Sequence, residues 1–114
     1  MLELKPEDIS LHIKNLKGHF KELEKRLTDP GIFSRQREYR EVSKEHQKLT
    51  TLFQNYDRWT TAITELDDNR ILLDEEDEEM RSMISVDIQK LEKEISSLES
   101  KVRFSLLPPD PNDN

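Results

Sequence analysis

From Ile9 the apolar positions fall at Ile9, Ile13, Leu16, Phe20, Leu23 and Leu27, in steps of four, three, four, three and four. Alternating threes and fours keep these side chains on one face of a helix that packs along a partner. Pro6 suits the first turn, where its missing N–H would lack a partner anyway, and Glu7 and Asp8 complement the positive end of the helix dipole. Lys25 and Arg26 complement the other end. Gly18, in mid-helix, marks either a close helix contact or a tolerated weak point worth about 1 kcal/mol relative to Ala, and the second reading is adopted. Thr28-Asp29-Pro30-Gly31 then ends the helix, because the residue before proline is pushed out of helical geometry and glycine tolerates positive φ.

Ser34 is expected to cap a second helix. Its stripe reads Tyr39, Val42, His46, Leu49, Phe53, Tyr56, Ile63 and Leu66, with a second row at Leu52, Trp59, Leu66 and Leu73 as the helix drifts from a strict heptad. No Gly or Pro interrupts it before Leu73. Unbroken, that helix is about 60 Å long at 1.5 Å per residue, so something must pack along it. The simplest solution is antiparallel return by a third segment, whose stripe is Ile84, Ile88, Leu91, Ile95, Leu98 and Val102. Six consecutive acids, Asp74 to Glu79, are placed at the start of this last helix, and Lys101 and Arg103 at its end. Pro108, Pro109 and Pro111 prevent continuation beyond about Leu107. The expected fold is all-α: three elongated amphipathic helices forming an antiparallel hairpin or bundle with coiled-coil-like packing. Residues 1–107 would be the helical domain and 108–114 a polar linker toward a further part of a longer protein.

Composition supports that picture and removes alternatives. The 114 residues are 32% hydrophobic and 38% charged, so the apolar side chains must lie on narrow stripes. Two glycines are too few for Gly-rich phosphate loops. The absence of cysteine rules out disulfides, thiolate zinc sites and a cysteine nucleophile. No apolar run approaches the roughly 20 residues of a membrane helix, which leads to the expectation of a soluble, cytoplasmic chain with no membrane partner.

Candidate chemistry is sparse. His12, His19 and His46 have no metal-ligand spacing, and His46 sits on the apolar stripe as a core-edge residue. The acid run lacks the alternate ligand positions and bend glycine of a calcium loop, so it reads as a solvated helix start. No nucleophile elbow surrounds any serine. The expectation is therefore a non-enzyme with no catalytic, cofactor-binding or metal-binding residues and no small-molecule substrate. Charge is uneven, however: residues 65–79 hold nine acids and one base, while the rest of the chain is close to neutral. Lys14, Lys17, Lys21 and Lys25 line one side of the first helix, and Arg35, Arg37, Arg40 and Lys44 begin the second. These could face phosphates, although the interleaved Glu22, Glu24, Glu38, Glu41 and Glu45 are also what an ordinary solvated helix face shows. The aromatics lie mostly on the stripes and read as core in preference to base-stacking platforms.

Four stretches carry a family resemblance: LEKRLTDPGIF at Leu23 to Phe33, YREVSKEHQKL at Tyr39 to Leu49, ILLDEEDEEMRSM at Ile71 to Met83, and LLPPDPNDN at Leu106 to Asn114. Together they resemble the amino-terminal domain of bacterial peptide chain release factor 1, the class I family that ends translation at UAA and UAG codons. The last stretch is the most specific, since in this family such a segment joins the helical domain to the codon-reading and catalytic part. Mitochondrial release factors share the pattern. The family's Gly-Gly-Gln loop and Pro-x-Thr-type tripeptide are not in this chain, so no family catalytic residue carries over to any position here. The resemblance implies a domain that docks on the large ribosomal subunit near the GTPase-associated centre, around the stalk-base protein and its rRNA, and cooperates with the class II release-factor GTPase. Lys14, Lys17, Lys21, Lys25, Arg35, Arg37 and Arg40 are the candidate ribosome contacts. The alternative is a free-standing coiled-coil adaptor or oligomerisation module, which the heptads alone would also fit.

Overall fold

The computed structural model describes residues 6–107, and the expected linker at 108–114 lies outside them. The described elements are α1 (Pro6–Thr28), a 3-10 turn (Pro30–Ser34), α2 (Gln36–Glu75) and α3 (Glu78–Leu106). Among the described residues there is no strand, and no helix is long and apolar enough to cross a membrane. The chain divides into two compact units, the first ending at Phe53 and the second beginning at Gln54.

The first unit pairs α1 with the beginning of α2. Its helices are antiparallel, since His19 of α1 meets Glu45 of α2 while the later Arg26 meets the earlier Glu38. The heptad stripe is the buried face: Ile9, Ile13 and Leu23 of α1 and Val42, Leu49 and Leu52 of α2 are all buried, with Ile32 of the turn fully enclosed. Phe20 fills the seam by stacking on the His46 ring at 4.3 Å and meeting Phe53 edge-on at 5.3 Å. His46 is thus the core-edge residue its stripe position indicates.

The turn between α1 and α2 departs from the sequence expectation. Ser34 does not cap α2; its hydroxyl donates to the Gly31 carbonyl at 2.7 Å and closes the 3-10 turn. The first α2 bond is instead accepted by the Arg35 carbonyl, from the Tyr39 N–H at 2.9 Å. Gly31 does not adopt positive φ either. Asp29 does the work of reversing the chain, as its carboxylate accepts the Gly31 N–H at 3.0 Å and so satisfies a donor that the helical turn leaves free.

In the second unit the remainder of α2 runs against α3. Ala62, Leu66 and Leu91 form its buried cluster, flanked by Ile88 and Ile95, with Trp59, Ile84, Leu98, Val102 and Leu106 also buried. The α2 seam therefore passes through Ala62, whereas Ile63, assigned to the stripe from spacing, is 37% exposed. The drift of 3.6 residues per turn against a seven-residue repeat moves the contact line from Tyr56 and Ile63 to Trp59, Ala62 and Leu66. The acid run is also divided differently. Asp74 and Glu75 close α2, where the dipole disfavours them, and only Asp77, Glu78 and Glu79 begin α3. Asp77 caps α3 by accepting the Met80 N–H at 2.9 Å.

Gly18 has nothing within 4 Å of where a Cβ would stand, which identifies it as a weak point and not a close contact. Gly18→Ala is expected to raise stability by about 0.5 to 1 kcal/mol, because alanine removes backbone freedom from the unfolded chain at no steric cost. A thermal melt followed by circular dichroism checks this. A lower midpoint would mean that Gly18 is required by packing.

Candidate nucleic-acid interface

The two units differ sharply in charge. The first holds 11 Lys and Arg against nine Asp and Glu, and the second seven against 16. A polyanionic ligand is therefore attracted to the first unit and repelled by the second.

Within the first unit the sequence-selected cations fall into two groups. Lys14, Lys17, Lys21 and Lys25 recur every three or four residues on α1 and are all exposed. Lys25 leans toward Glu22 at 3.6 Å, and the Lys17 ammonium lies 5.9 Å from the centre of the Phe53 ring. Among the described residues Lys14 and Lys21 have no ion-pair partner. Arg35, by contrast, is committed to holding the turn: it reaches Asp29 at 3.0 Å and Glu38 at 2.7 Å, and Glu38 is also held by Arg26 at 2.7 Å. The Gly31 N–H and then Arg35 keep the Asp29 carboxyl below its ordinary value, and Arg26 and then Arg35 do the same for Glu38. Both pairings favour the folded chain above the ordinary carboxyl range and lose that contribution as acidification protonates the two groups.

The second group stands on α2. Arg37 is 90% exposed at its side chain, and its one ion pair among the described residues is with Glu41, at 3.4 Å. Arg40, Lys44 and Lys48 follow at steps of three, four and four, are exposed, and have no ion-pair partner among the described residues. Sequence reading singled out the first three of these four cations but omitted Lys48, which helical spacing from Lys44 could have supplied. It also read the aromatics on the stripes as core, and of these Tyr39 is exposed, beside Phe33, which lies on no stripe. Phe33 is 63% exposed and Tyr39 is 37% exposed, their rings 5.3 Å apart at the turn end of α2. Tyr39 escapes burial because the seam of this unit starts at Val42, and Phe33 because its neighbour Ile32 takes the inward position of the 3-10 turn.

No cluster among the described residues could hold a metal ion. The His19–Glu45 contact at 2.7 Å and the His46–Glu24 contact at 3.7 Å are separate bridges between α1 and α2. In the second unit an open groove between α2 and α3 is lined by Arg58, Glu65, Asn69, Asp87, Lys90 and Glu94, with Leu91 at its floor. Arg58 crosses it to the Glu94 carboxylate and also reaches Glu65 at 3.1 Å. Those hydrogen bonds raise the Arg58 guanidinium above its ordinary value and lower the Glu94 carboxyl. The groove is thus crossed by its own ion pairs, and its polar groups serve the α2–α3 contact.

Comparison with known proteins places these features in a family. The PCRF domain model matches residues 16–114. Peptide chain release factor 1 of Geotalea uraniireducens is 37% identical over 102 residues, covering 90% of this chain and 28% of that protein. The factor of the same name from Pelobacter propionicus is 39% identical over 102 residues, again 90% of this chain and 28% of the relative. That from Lactobacillus gasseri is 31% identical over 109 residues, 95% of this chain and 30% of the relative. The chain therefore spans under a third of the length of these relatives. No solved structure matches it. With a family model covering α1 from Leu16 onward, the whole of α2 and α3 and the residues beyond, the chain belongs to the PCRF domain family.

Proposed function

We propose that this chain is the ribosome-docking helical domain of a translation termination factor, one that directs release of the nascent peptide at UAA and UAG codons. The observation that carries the reading is its similarity to peptide chain release factor 1 along 90% or more of its length. The partners are the GTPase-associated centre of the large subunit, with its stalk-base protein and rRNA, and the class II release-factor GTPase, in the cytoplasm. Lys14, Lys21, Arg37 and Arg40 contribute phosphate contacts from the first unit, with Lys17 and Lys25 beside them, while Arg35 orders the turn that carries Phe33. The domain contributes position and not chemistry: neither a Gly-Gly-Gln loop nor a Pro-x-Thr-type tripeptide is present in these 114 residues.

Co-sedimentation with ribosomes tests the reading. The chain is expected to associate with the large subunit equally whether a sense or a stop codon occupies the decoding site, and to release no labelled peptide from a ribosome halted at a stop codon. Affinity is expected to fall with salt through counterion release, and Lys14→Gln with Lys21→Gln and Arg40→Gln is expected to flatten the salt dependence by roughly 0.7 to 0.9 logarithmic units per contact removed. Failure to sediment even at low salt, together with a stable dimer by light scattering, would replace docking by oligomerisation as the role of these helices. Binding that depends on the codon would contradict the assignment of codon reading to another part.

A further inference from the structure

We propose that Phe33 and Tyr39, with Arg40, Lys44 and Lys48 beyond them on α2, form a binding surface for an unpaired RNA nucleotide and the strand that follows it. A base stacks on the exposed Phe33 ring and the neighbouring phosphates lie along the cationic row. The inference deepens the docking reading and rests on its nucleic-acid component, by naming single-stranded RNA as the form recognised.

Three features of the first unit support it. Phe33 is the more exposed of two rings in contact, 63% against 37% for Tyr39, so one large apolar face is left open on an ordered element. That element is preorganised: Asp29 accepts the Gly31 N–H, Ser34 donates to the Gly31 carbonyl, Arg35 reaches back to Asp29, and Ile32 anchors the turn with its side chain fully buried. Little ordering is then required when a planar group settles on the ring. Lastly, Arg40 to Lys48 extends about 12 Å along α2 at 1.5 Å per residue, with no ion-pair partner for Arg40, Lys44 or Lys48 among the described residues. The acids on that side of α2 are already engaged, Glu41 with Arg37 and Glu45 with His19. An open aromatic face at the start of α2 and open cations continuing along the same helix match what single-stranded nucleic acid offers, since every base has a stacking face and every nucleotide a phosphate. A paired helix offers phosphates but keeps its base faces inside the stack.

Fluorescence anisotropy with two labelled RNAs tests this, one a stem with an adenine-rich single-stranded loop and the other the same length fully paired. The wild-type chain is expected to prefer the looped RNA. Phe33→Ala is expected to weaken loop binding about tenfold while leaving duplex binding and the thermal midpoint unchanged, and Phe33→Tyr to restore it. Combined Arg40→Gln, Lys44→Gln and Lys48→Gln is expected to weaken both RNAs and flatten their salt dependence. Equal affinity of the wild type for loop and duplex overturns the proposal, as does an unchanged loop affinity in Phe33→Ala. Tighter binding of a polyglutamate peptide than of the looped RNA at the same salt would assign the surface to an acidic protein and overturn it also. Loop preference without ribosome co-sedimentation would leave the RNA surface standing and remove the docking reading, so the two failures are distinguishable.

Discussion

Val42→Asp is expected to unfold the pairing of α1 with the beginning of α2, at a cost of about 3 to 5 kcal/mol. Val42 is 3% exposed and lies in the stripe between Tyr39 and Leu49, so an aspartate there must either bury its charge or pull the helix away from its partner. The polar groups that bridge the two helices cannot rescue it, because Arg26 is already bonded to Glu38 and His19 to Glu45. Val42→Ala separates loss of packing from burial of charge, with an expected cost of about 1 to 3 kcal/mol for the lost apolar burial. Urea denaturation followed by circular dichroism gives both values. Should the aspartate variant be no less stable than the alanine variant, the position is not desolvated and the stripe is not the core.

Leu91→Asp is the corresponding change in the second unit, and a cost of about 3 to 5 kcal/mol is again expected. Leu91 packs with Ala62 and Leu66, and Ala62 is completely buried, so a carboxylate there breaks an apolar contact; Leu91 also borders the groove of Arg58, but that guanidinium is already held by Glu94 and Glu65. Ile88 and Ile95 lie three residues before and four after it, which extends the apolar surroundings by a turn in each direction. Hydrogen exchange reads the effect locally: amides of α3 should lose protection from about Ile84 to Leu98. Glu78→Gln, exposed at the start of α3, should change stability by less than about 1 kcal/mol and leave those amides protected. Native protection of α3 in Leu91→Asp would show that the Ala62–Leu66–Leu91 contact does not hold the unit together.

Much of this architecture is local in origin and so was legible. The steps of three and four in the first and third stripes identify the buried residues of α1 and, except for Leu106, of α3, because helical periodicity alone decides which side chains share a face. Pro30 ends α1 for a covalent reason, since it restricts the residue before it. Legibility falls in α2, whose stripe changes course. Ala62 is completely buried yet too small to register as a stripe position, and Ile63 beside it is large, apolar and partly exposed. Which of the two faces inward depends on how α3 crosses α2. The candidate interface was half legible in the same sense: the cations and their spacing are visible in the sequence, but whether each is open or occupied is not. Arg35 and Arg40 look equivalent along the chain, yet the first is paired with Asp29 and Glu38 and the second has no ion-pair partner among the described residues.

The sequence by itself determined the helices, their apolar faces, the stop at Pro30 and the concentration of negative charge between Glu65 and Glu79, because each follows from backbone geometry or composition within a few residues. Only the tertiary structure decided that α2 is shared, its beginning packing with α1 and its remainder with α3, and that the chain reverses through the Asp29 carboxylate instead of a glycine conformation. It also decided that Phe33 faces outward. The sharing of α2 depends on side chains 12 to 36 residues apart in the chain, such as Arg26 with Glu38 and Arg58 with Glu94. A periodic pattern specifies a face but not its partner, and the pairing is chosen by packing and charge once the helices meet.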